Sequence, residues 1–437
     1  MSVIKLLSLL NILLFVITIL LTKRKKNQFF ILYIILSFPF LSIPVIYGLN
    51  GFVFLTIIYL VFFYKDDISD HQKYFLHQIL FKFFLFFSFL GIIFSDFSFN
   101  SNNVFDFLDF FSIFIFSSLL ISECIRNKSF IIKIFYSFIT ILVFSFLFLY
   151  LQVIWGLEIT FSLVQNPNII SSDGLRYPSF FSDPQVYGQY LSVLIFICLL
   201  LFEIQKKYTI FYLILIISCL ISLFLSGSRG SLLGFIIGYF FLIFFSKRYK
   251  RILLFIFSLF FLVIFYVFQN SFIIFNRSTS IDEAYVFRNN IWNSALQIFY
   301  KHPFLGIGLG NYSNYVNKFY PDQYWLRDHE FITFDHPESG YLKLLTETGL
   351  FGILLIMFLF IVPIERVFFK TGIHFTFENK YLISSVISFF ISFYSIYTLG
   401  DVRMKILLTC IVSILFVLNN KPISNNTFRL LNSRYKN

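Results

Sequence analysis

Charge is what this chain has least of. Asp, Glu, Lys and Arg make up 13% of its 437 residues, about half the share in a soluble domain. Apolar runs of about 18 or more residues recur instead, and they cannot all fit inside one water-soluble core. A soluble globular protein is therefore excluded. Cysteine is also scarce. Cys124, Cys198, Cys219 and Cys410 lie in or next to apolar runs, and their spacing suits neither metal binding nor a disulfide framework. His302, His329 and His336 lack zinc-ligand spacing, and Asp322, Asp328 and Asp335 are scattered. No metal site and no cofactor are expected. A small-residue cleavage site is missing where the first apolar run ends at Lys23-Arg24-Lys25-Lys26. That run is expected to remain as a span.

Apolar residues are abundant: 58% of the chain, with 69 Phe. The runs are continuous rather than alternating, and only helices or closed barrels satisfy the backbone in a bilayer, so helices are predicted. Spans are placed at 3–21, 29–46, 50–64, 79–95, 104–122, 130–154, 186–202, 208–225, 231–245, 252–268, 349–364, 381–398 and 404–418. The stretch 29–64 is long for one span and short for two, which leaves twelve or thirteen. The predicted fold class is all-α: a polytopic transmembrane helical protein with a long external loop that contains short amphipathic helices.

The net charge of +12 does not point to nucleic acid. The loops at 22–28, 64–78, 123–129, 203–207, 246–251 and 365–380, and the tail from 419, hold most Lys and Arg. They alternate with loops poor in both, so the basic set is cytoplasmic. The other set, 155–185, 226–230, 269–348 and 399–403, is external. This divides the chain into an N-terminal bundle (1–154), an external loop (155–185), central helices (186–268), a long external loop (269–348), and C-terminal helices with a basic tail (349–437).

Loops beyond ~15 residues are usually functional or disordered, and the two long external ones are not of low complexity. In the second, residues 282–300 carry Ile291, Ala295 and Ile298 on one helical face, with Asp282 and Glu283 at the start. Two readings fit: an amphipathic helix on the membrane surface, or the core helix of a small external domain. The run Lys301 to Asn311, with alternating glycines, lacks dinucleotide spacing. It reads as turns that return the chain to the membrane, with His302 structural.

Three external clusters carry candidate chemistry. Arg229 lies in Ser226-Gly227-Ser228-Arg229-Gly230-Ser231, a hairpin between two spans. A cation at a helix N-terminus opposes the macrodipole. The plainer reading is an Arg that snorkels to the headgroups. The functional one is a clamp whose planar fork matches phosphate oxygens two at a time. Arg176 is the basic residue of its loop, near Tyr177, Phe180 and Phe181. It reads either as an anion ligand or as an ion-pair partner of Asp173 or Asp183. His336 precedes Pro337, which suits a first helical turn. His336 is thus predicted as an N-cap, where the helix dipole favours the neutral imidazole needed by a general base. Glu338 lies close enough to orient it or share the role. The plainer reading is a cap without chemistry.

These motifs occur in an order that resembles the O-antigen ligase and polymerase family of bacterial membrane glycosyltransferases. An Arg precedes "FFSDPQVYGQYL"; then come "SGSRGSLLG", "KHPFLGIGLGNY" and "HPESGYLKLLTETGLFG". The resemblance covers about 165–353. It implies transfer of a glycan from undecaprenyl diphosphate to an acceptor hydroxyl at the periplasmic face of the inner membrane, without nucleotide sugar or metal. Arg176 and Arg229 would hold the diphosphate, and His336 with Glu338 would serve as catalytic residues. The acceptor would be a growing glycan, which the Glu338 variant of the motif favours, or lipid A–core. A partner that sets chain length is a further implication, and no nucleic acid is. A flippase or transporter of lipid-linked sugars is the alternative from another class. Such proteins carry ionisable or helix-breaking residues near the midplane, whereas the spans here are mostly Phe, Ile and Leu.

The basic-loop alternation makes a direct prediction. A Cys placed at Asn314 should be modified by an impermeant thiol reagent from outside the cell, and one at Tyr249 should be spared. The reverse pattern overturns the external placement of all three clusters.

Overall fold

The computed structural model describes residues 3–22, 25–46, 48–64, 75–95, 101–159, 170–171, 174–246, 281–320, 324–327, 330–333, 336–371 and 377–420. The architecture is the expected all-α multi-pass one. Helices run in the order α1 (Val3–Leu21), α2 (Lys26–Leu36), α3 (Phe38–Leu41), α4 (Gly51–Phe62), α5 (Phe75–Ile93), α6 (Ser101–Arg126), α7 (Phe130–Trp155) and α8 (Pro184–Ile204). They continue with α9 (Thr209–Leu225), α10 (Arg229–Phe244), α11 (Ile281–Lys301), α12 (Tyr312–Phe319), α13 (Gly340–Thr371), α14 (Phe377–Phe393) and α15 (Val402–Asn420). Among the described residues, seven helices are long and apolar enough to cross a membrane. The span predicted at 252–268 and the basic run 247–251 lie outside the described residues. Among the described residues, strand is confined to three two-stranded antiparallel hairpins: Pro44–Ile46 with Leu49–Asn50, Ile170–Ser171 with Gly174–Leu175, and Tyr324–Arg327 with Glu330–Thr333.

The ambiguous stretch 29–64 folds back on itself as two short helical arms. Lys26 at the start of α2 lies 5.0 Å over the ring of Phe63, beyond the end of α4. Asn50, which caps α4, meets Asp109 in the first half of α6 at 2.6 Å. α2 with α3 therefore runs one way and α4 returns. The helices are short, 11 and 12 residues for α2 and α4, so neither spans ~30 Å of hydrocarbon alone.

Polar contacts sort the bundle into two ends. At one end Gln28 donates to Glu123 (2.9 Å), Gln205 to Tyr136 (2.8 Å), and Tyr381 to Glu203 (2.6 Å). At the other, Lys405 meets Asp109 (2.9 Å), Asn103 bonds Leu309 O (2.5 Å), and the Arg176 side chain reaches the Ser226 carbonyl. The first end carries the loops predicted to be basic. The second carries the candidate residues and is called the loop end below.

The spans, mostly Phe, Ile and Leu, also carry charged residues toward their ends. Asp109, Glu123, Glu203, Lys380, Arg403 and Lys405 belong to helices or their flanks. Each lies near an end of the bundle and engages a polar partner.

α10 and α14 pack more closely than branched side chains permit. Gly230, Gly234 and Gly238 repeat every four residues on one face of α10. They abut Ser395, Ser388 and Ser384 respectively. A Cβ on Gly234 would collide with the carbonyl of Ser388, and one on Gly238 would sit 2.7 Å from the carbonyl of Ser384. Between membrane helices, small residues supply the attraction by allowing backbone approach. The contact matters to function because it fixes the Arg229 end of α10 against the α14 terminus.

The stretch 282–300 resolves toward the second of its two readings. Ala295 and Ile298 of α11 join a small separate core with Ile307, Tyr312, Tyr315 and Val316. Its apolar face is therefore covered by protein. Gly306, Gly308 and Gly310 all have positive φ (70°, 88° and 75°), which supplies the turns expected there. His302 Nε2 lies 3.3 Å from the Tyr315 hydroxyl, in keeping with a structural role.

Replacing Gly234 by Leu should destabilise the bundle by about 1–3 kcal/mol or more through overpacking. The check is the thermal unfolding midpoint in detergent, with the neighbouring lipid-side change Leu233→Ala as a control expected to move it little. Equal midpoints for Gly234→Leu and wild type would rule out the close approach.

Candidate functional site

Three segments meet at the loop end. The first leads from Gly174 to the start of α8. Arg176 is 1% exposed, and its Nε donates to the Ser226 carbonyl at 3.1 Å. The next residue repeats the contact, with Tyr177 N donating to Leu225 O at 3.2 Å. Arg176 thus sits at the C-terminal end of α9, where a cation complements the helix dipole. The turn after it is strained, since Ser179 has φ 55°. It is also heavily anchored. Ser179 N takes Gln152 Oε1 (2.9 Å), its hydroxyl donates to Ser145 O (2.7 Å), and Gln152 Nε2 donates back to Ser179 O (2.9 Å). Asp183 then caps α8, accepting from Gln185 N at 2.6 Å.

The second segment is the 226–231 hairpin. Arg229 opens α10 and is exposed. The helix gives this position no favour, because the positive end of its dipole lies there. Arg176 Nε is engaged by the α9 carbonyl it caps, whereas the Arg229 side chain reaches the surface. Gly230 seats the hairpin against Ser395, just past the end of α14.

The third segment differs from expectation. The first residue of α13 is Gly340, and Ser339 occupies the cap, its carbonyl accepting from Lys343 N at 3.1 Å. His336 lies four residues before the helix. It is not the N-cap, and the dipole argument for a neutral imidazole does not apply. The cause is Glu338, whose left-handed backbone (φ 52°) interrupts the turn that Pro337 was expected to start. A non-glycine residue in that region costs roughly 1–2 kcal/mol, and such strain is typical of functional positions. Here it places the Glu338 carboxylate 3.9 Å from His336 Nε2.

Arg288 and Trp292 of α11 join the third segment. They stand one turn apart, hence on one face. Arg288 lies 3.7 Å from Glu338. Trp292 Nε1 donates to Pro337 O at 3.1 Å, and its ring meets Tyr394 at 5.5 Å. Tyr394 adjoins Ser395, on which the Arg229 hairpin rests. The available signal was that i, i+4 pair within a run otherwise read only for its apolar face.

The segments also share one electrostatic environment. Burial raises the Asp183 carboxyl above the ordinary carboxylate range, Arg176 opposes that shift, Glu338 adds to it, and His336 opposes it. Asp173, the other partner proposed for Arg176, lies outside the described residues. The candidate residues at this end of the bundle are Arg176, Arg229 and Arg288 with Asp183, Glu338 and His336.

Residues 211–357 match the O-antigen ligase family. The matched stretch begins in α9, ends in α13, and contains Arg229, Arg288, His336 and Glu338. Arg176 precedes it. The resemblance read from the sequence motifs is thereby supported over that region. No curated protein sequence matches the chain. The matched stretch therefore includes both the hairpin with its exposed arginine and the α11–α13 segment with the histidine–glutamate pair.

Proposed function

We propose that this protein is a membrane glycosyltransferase that transfers a glycan from undecaprenyl diphosphate to an acceptor sugar hydroxyl at the periplasmic face. We assign it as a surface-polysaccharide polymerase rather than a ligase acting on lipid A–core. The observation that supports the reading is an exposed arginine on a tight hairpin at the same end of the bundle as a His336–Glu338–Arg288 set, both inside the stretch that matches the O-antigen ligase family.

The chemistry asks little of an acid and much of electrostatics. The acceptor oxygen forms a bond to the anomeric carbon while the bond from that carbon to the diphosphate oxygen breaks. The electron pair leaves with the diphosphate. Arginine forks neutralise the charge that develops there, so no metal ion enters the step. The acceptor hydroxyl loses its proton as it attacks, and His336 accepts it as general base. Glu338, facing Nε2, steadies the resulting imidazolium, and Arg288 holds Glu338 in place. Direct displacement inverts the anomeric centre. The polyprenyl tail of the donor requires a site open to the membrane. Polymerase is preferred because Glu338 sits beside the base, and the "HPES" form of the motif resembles polymerases more than ligases.

The test is a reconstituted assay with lipid-linked repeat units. Arg229→Lys keeps the charge but loses the fork, and should cut transfer by roughly 10²–10³-fold at normal protein level. His336→Ala should cost ~10²–10⁴-fold while the lipid-linked donor still binds. Glu338→Gln should be impaired less. If Glu338→Gln is inactive and His336→Ala active, Glu338 is the base. If Arg229→Ala retains normal transfer, the diphosphate clamp is wrong.

A further inference from the structure

The segment that follows α11 meets the spans at the depth of their apolar residues. Leu305 O lies against Gly91, so closely that a Cβ there would come within 2.7 Å of it. Gly91 belongs to the last turn of the apolar stretch of α5, which ends at Ile93. On the other side, Phe304 O accepts from Phe351 N at 3.3 Å, and Phe351 lies inside the apolar stretch of α13. Residues 304 and 305 are thus seated at the edge of the apolar layer rather than above it.

At that depth the Phe304 side chain is 59% exposed. Its ring stacks on Phe351, with centroids 5.8 Å apart and planes at 28°. Phe351 stacks in turn on Phe87 of α5 (5.0 Å, 27°), and Phe87 on Phe83 (6.4 Å, 26°). Phe83 and Phe351 are 50% and 40% exposed, on the outward face of spans that lipid surrounds. The ladder Phe83–Phe87–Phe351–Phe304 therefore carries the lipid-facing surface without a break onto the 303–308 loop. Leaving such rings to water costs free energy in proportion to their apolar area.

Beside Phe304 the surface becomes amphipathic. Tyr300, one turn earlier, is 73% exposed, and Lys301 is exposed next to it. Lys301 Nζ lies 5.6 Å over the ring of Tyr320, which brings the C-terminal end of α12 alongside. There Lys318 and Phe319 are exposed. The stretches 300–305 and 317–320 hold these two lysines and no carboxylate. Aromatic rings and lysines next to a lipid-facing surface suit the headgroup layer of a bilayer, where rings sit at the boundary and ammonium groups meet lipid phosphates.

We infer that Tyr300, Lys301 and Phe304, with Lys318 beside them, dock in the headgroup layer at the loop end and bind the phosphate of an anionic phospholipid. The lipid's chains cover Phe304 and the ladder below it, and its phosphate meets the lysines. A glycan has no use for a phenylalanine at the depth of the apolar layer, and a water-soluble partner does not reach the ladder. The contact also bears on the reaction site. The same loop bonds α13 through Ile307 N and Thr346 O at 2.9 Å, so lipid that holds the loop steadies the segment starting at Gly340.

The experiment uses the full-length protein in nanodiscs, with a bimane fluorophore on Phe304→Cys. The native cysteines are all buried, so the introduced one takes the label. Tyr300→Cys, outside the ring ladder, is the second position in case the first disturbs folding. Quenching is measured with trace lipid that carries a doxyl group near the headgroup, as phosphatidylglycerol or as phosphatidylcholine, and with iodide in the buffer. The lipid quenchers should act strongly at position 304 and iodide weakly. The phosphatidylglycerol form should be favoured, and Lys301→Gln and Lys318→Gln should each cut that preference by about fivefold, the equivalent of ~1 kcal/mol per lysine. Strong iodide quenching without lipid quenching at both positions overturns the docking. Equal quenching by the two lipids in the presence of both lysines overturns the phosphate contact. No readout depends on turnover, so failure of the transferase reading leaves these results standing.

Discussion

A break in α13 at Gly349 sets the geometry of the loop end. Gly349 has φ 62° and interrupts the helix, leaving amide and carbonyl groups on either side without helical partners. In a low-dielectric setting each such group costs several kcal/mol if unsatisfied. The 303–308 loop supplies the missing bonds from both sides. Leu350 N donates to Pro303 O (2.8 Å) and Phe351 N to Phe304 O (3.3 Å), while Ile307 N donates to Thr346 O (2.9 Å) and Gly308 N to Glu347 O (3.0 Å). The backbones come so close that Gly306 and Gly349 have no room for a Cβ. The segment Gly340–Thr348 is therefore held by the loop rather than by the helix that follows it. One end of that segment presents His336 and Glu338, and its face presents Lys343 and Glu347.

From this fixed segment the rest of the site follows by contact. α11 precedes the 303–308 loop directly, so anchoring the loop also anchors Arg288 and Trp292 above Pro337 and Glu338. Trp292 then meets Tyr394, and the α14 terminus carries the Gly230 face of α10. The arginine hairpin and the histidine segment are far apart in sequence. They are joined through a series of packed rings and glycine–serine contacts rather than through a direct bond.

Much of this was legible in the sequence, and what was not has physical reasons. Helix existence followed from apolar runs, because the bilayer leaves the backbone few alternatives. The predicted start of a span at residue 349 falls at the Gly349 break, since the run of Lys343 and Glu347 before it is polar. The Arg229 hairpin was visible from its glycines and serines. The capping role of His336 was misread because Pro337 signals a helix start, while the left-handed backbone at Glu338 postpones it to Gly340. Arg288 was missed because its importance depends on contact with Glu338, fifty residues later in the chain. Asp106, Asp109 and Lys405 were overlooked because single charges at the ends of apolar runs look like interface residues. Only their tertiary pairing shows that they face one another.

The central claim is that the loop end binds a lipid diphosphate between the arginines and the His336 segment. The most direct test is a cryo-EM structure of the protein in nanodiscs with an undecaprenyl-diphosphate-linked sugar and the inactivating His336→Ala change. The account predicts diphosphate density within hydrogen-bonding distance of the Arg229 guanidinium, with the sugar turned toward residue 336 and the tail in the membrane. Diphosphate density at the opposite end of the bundle, or away from Arg229 at the loop end, would contradict it.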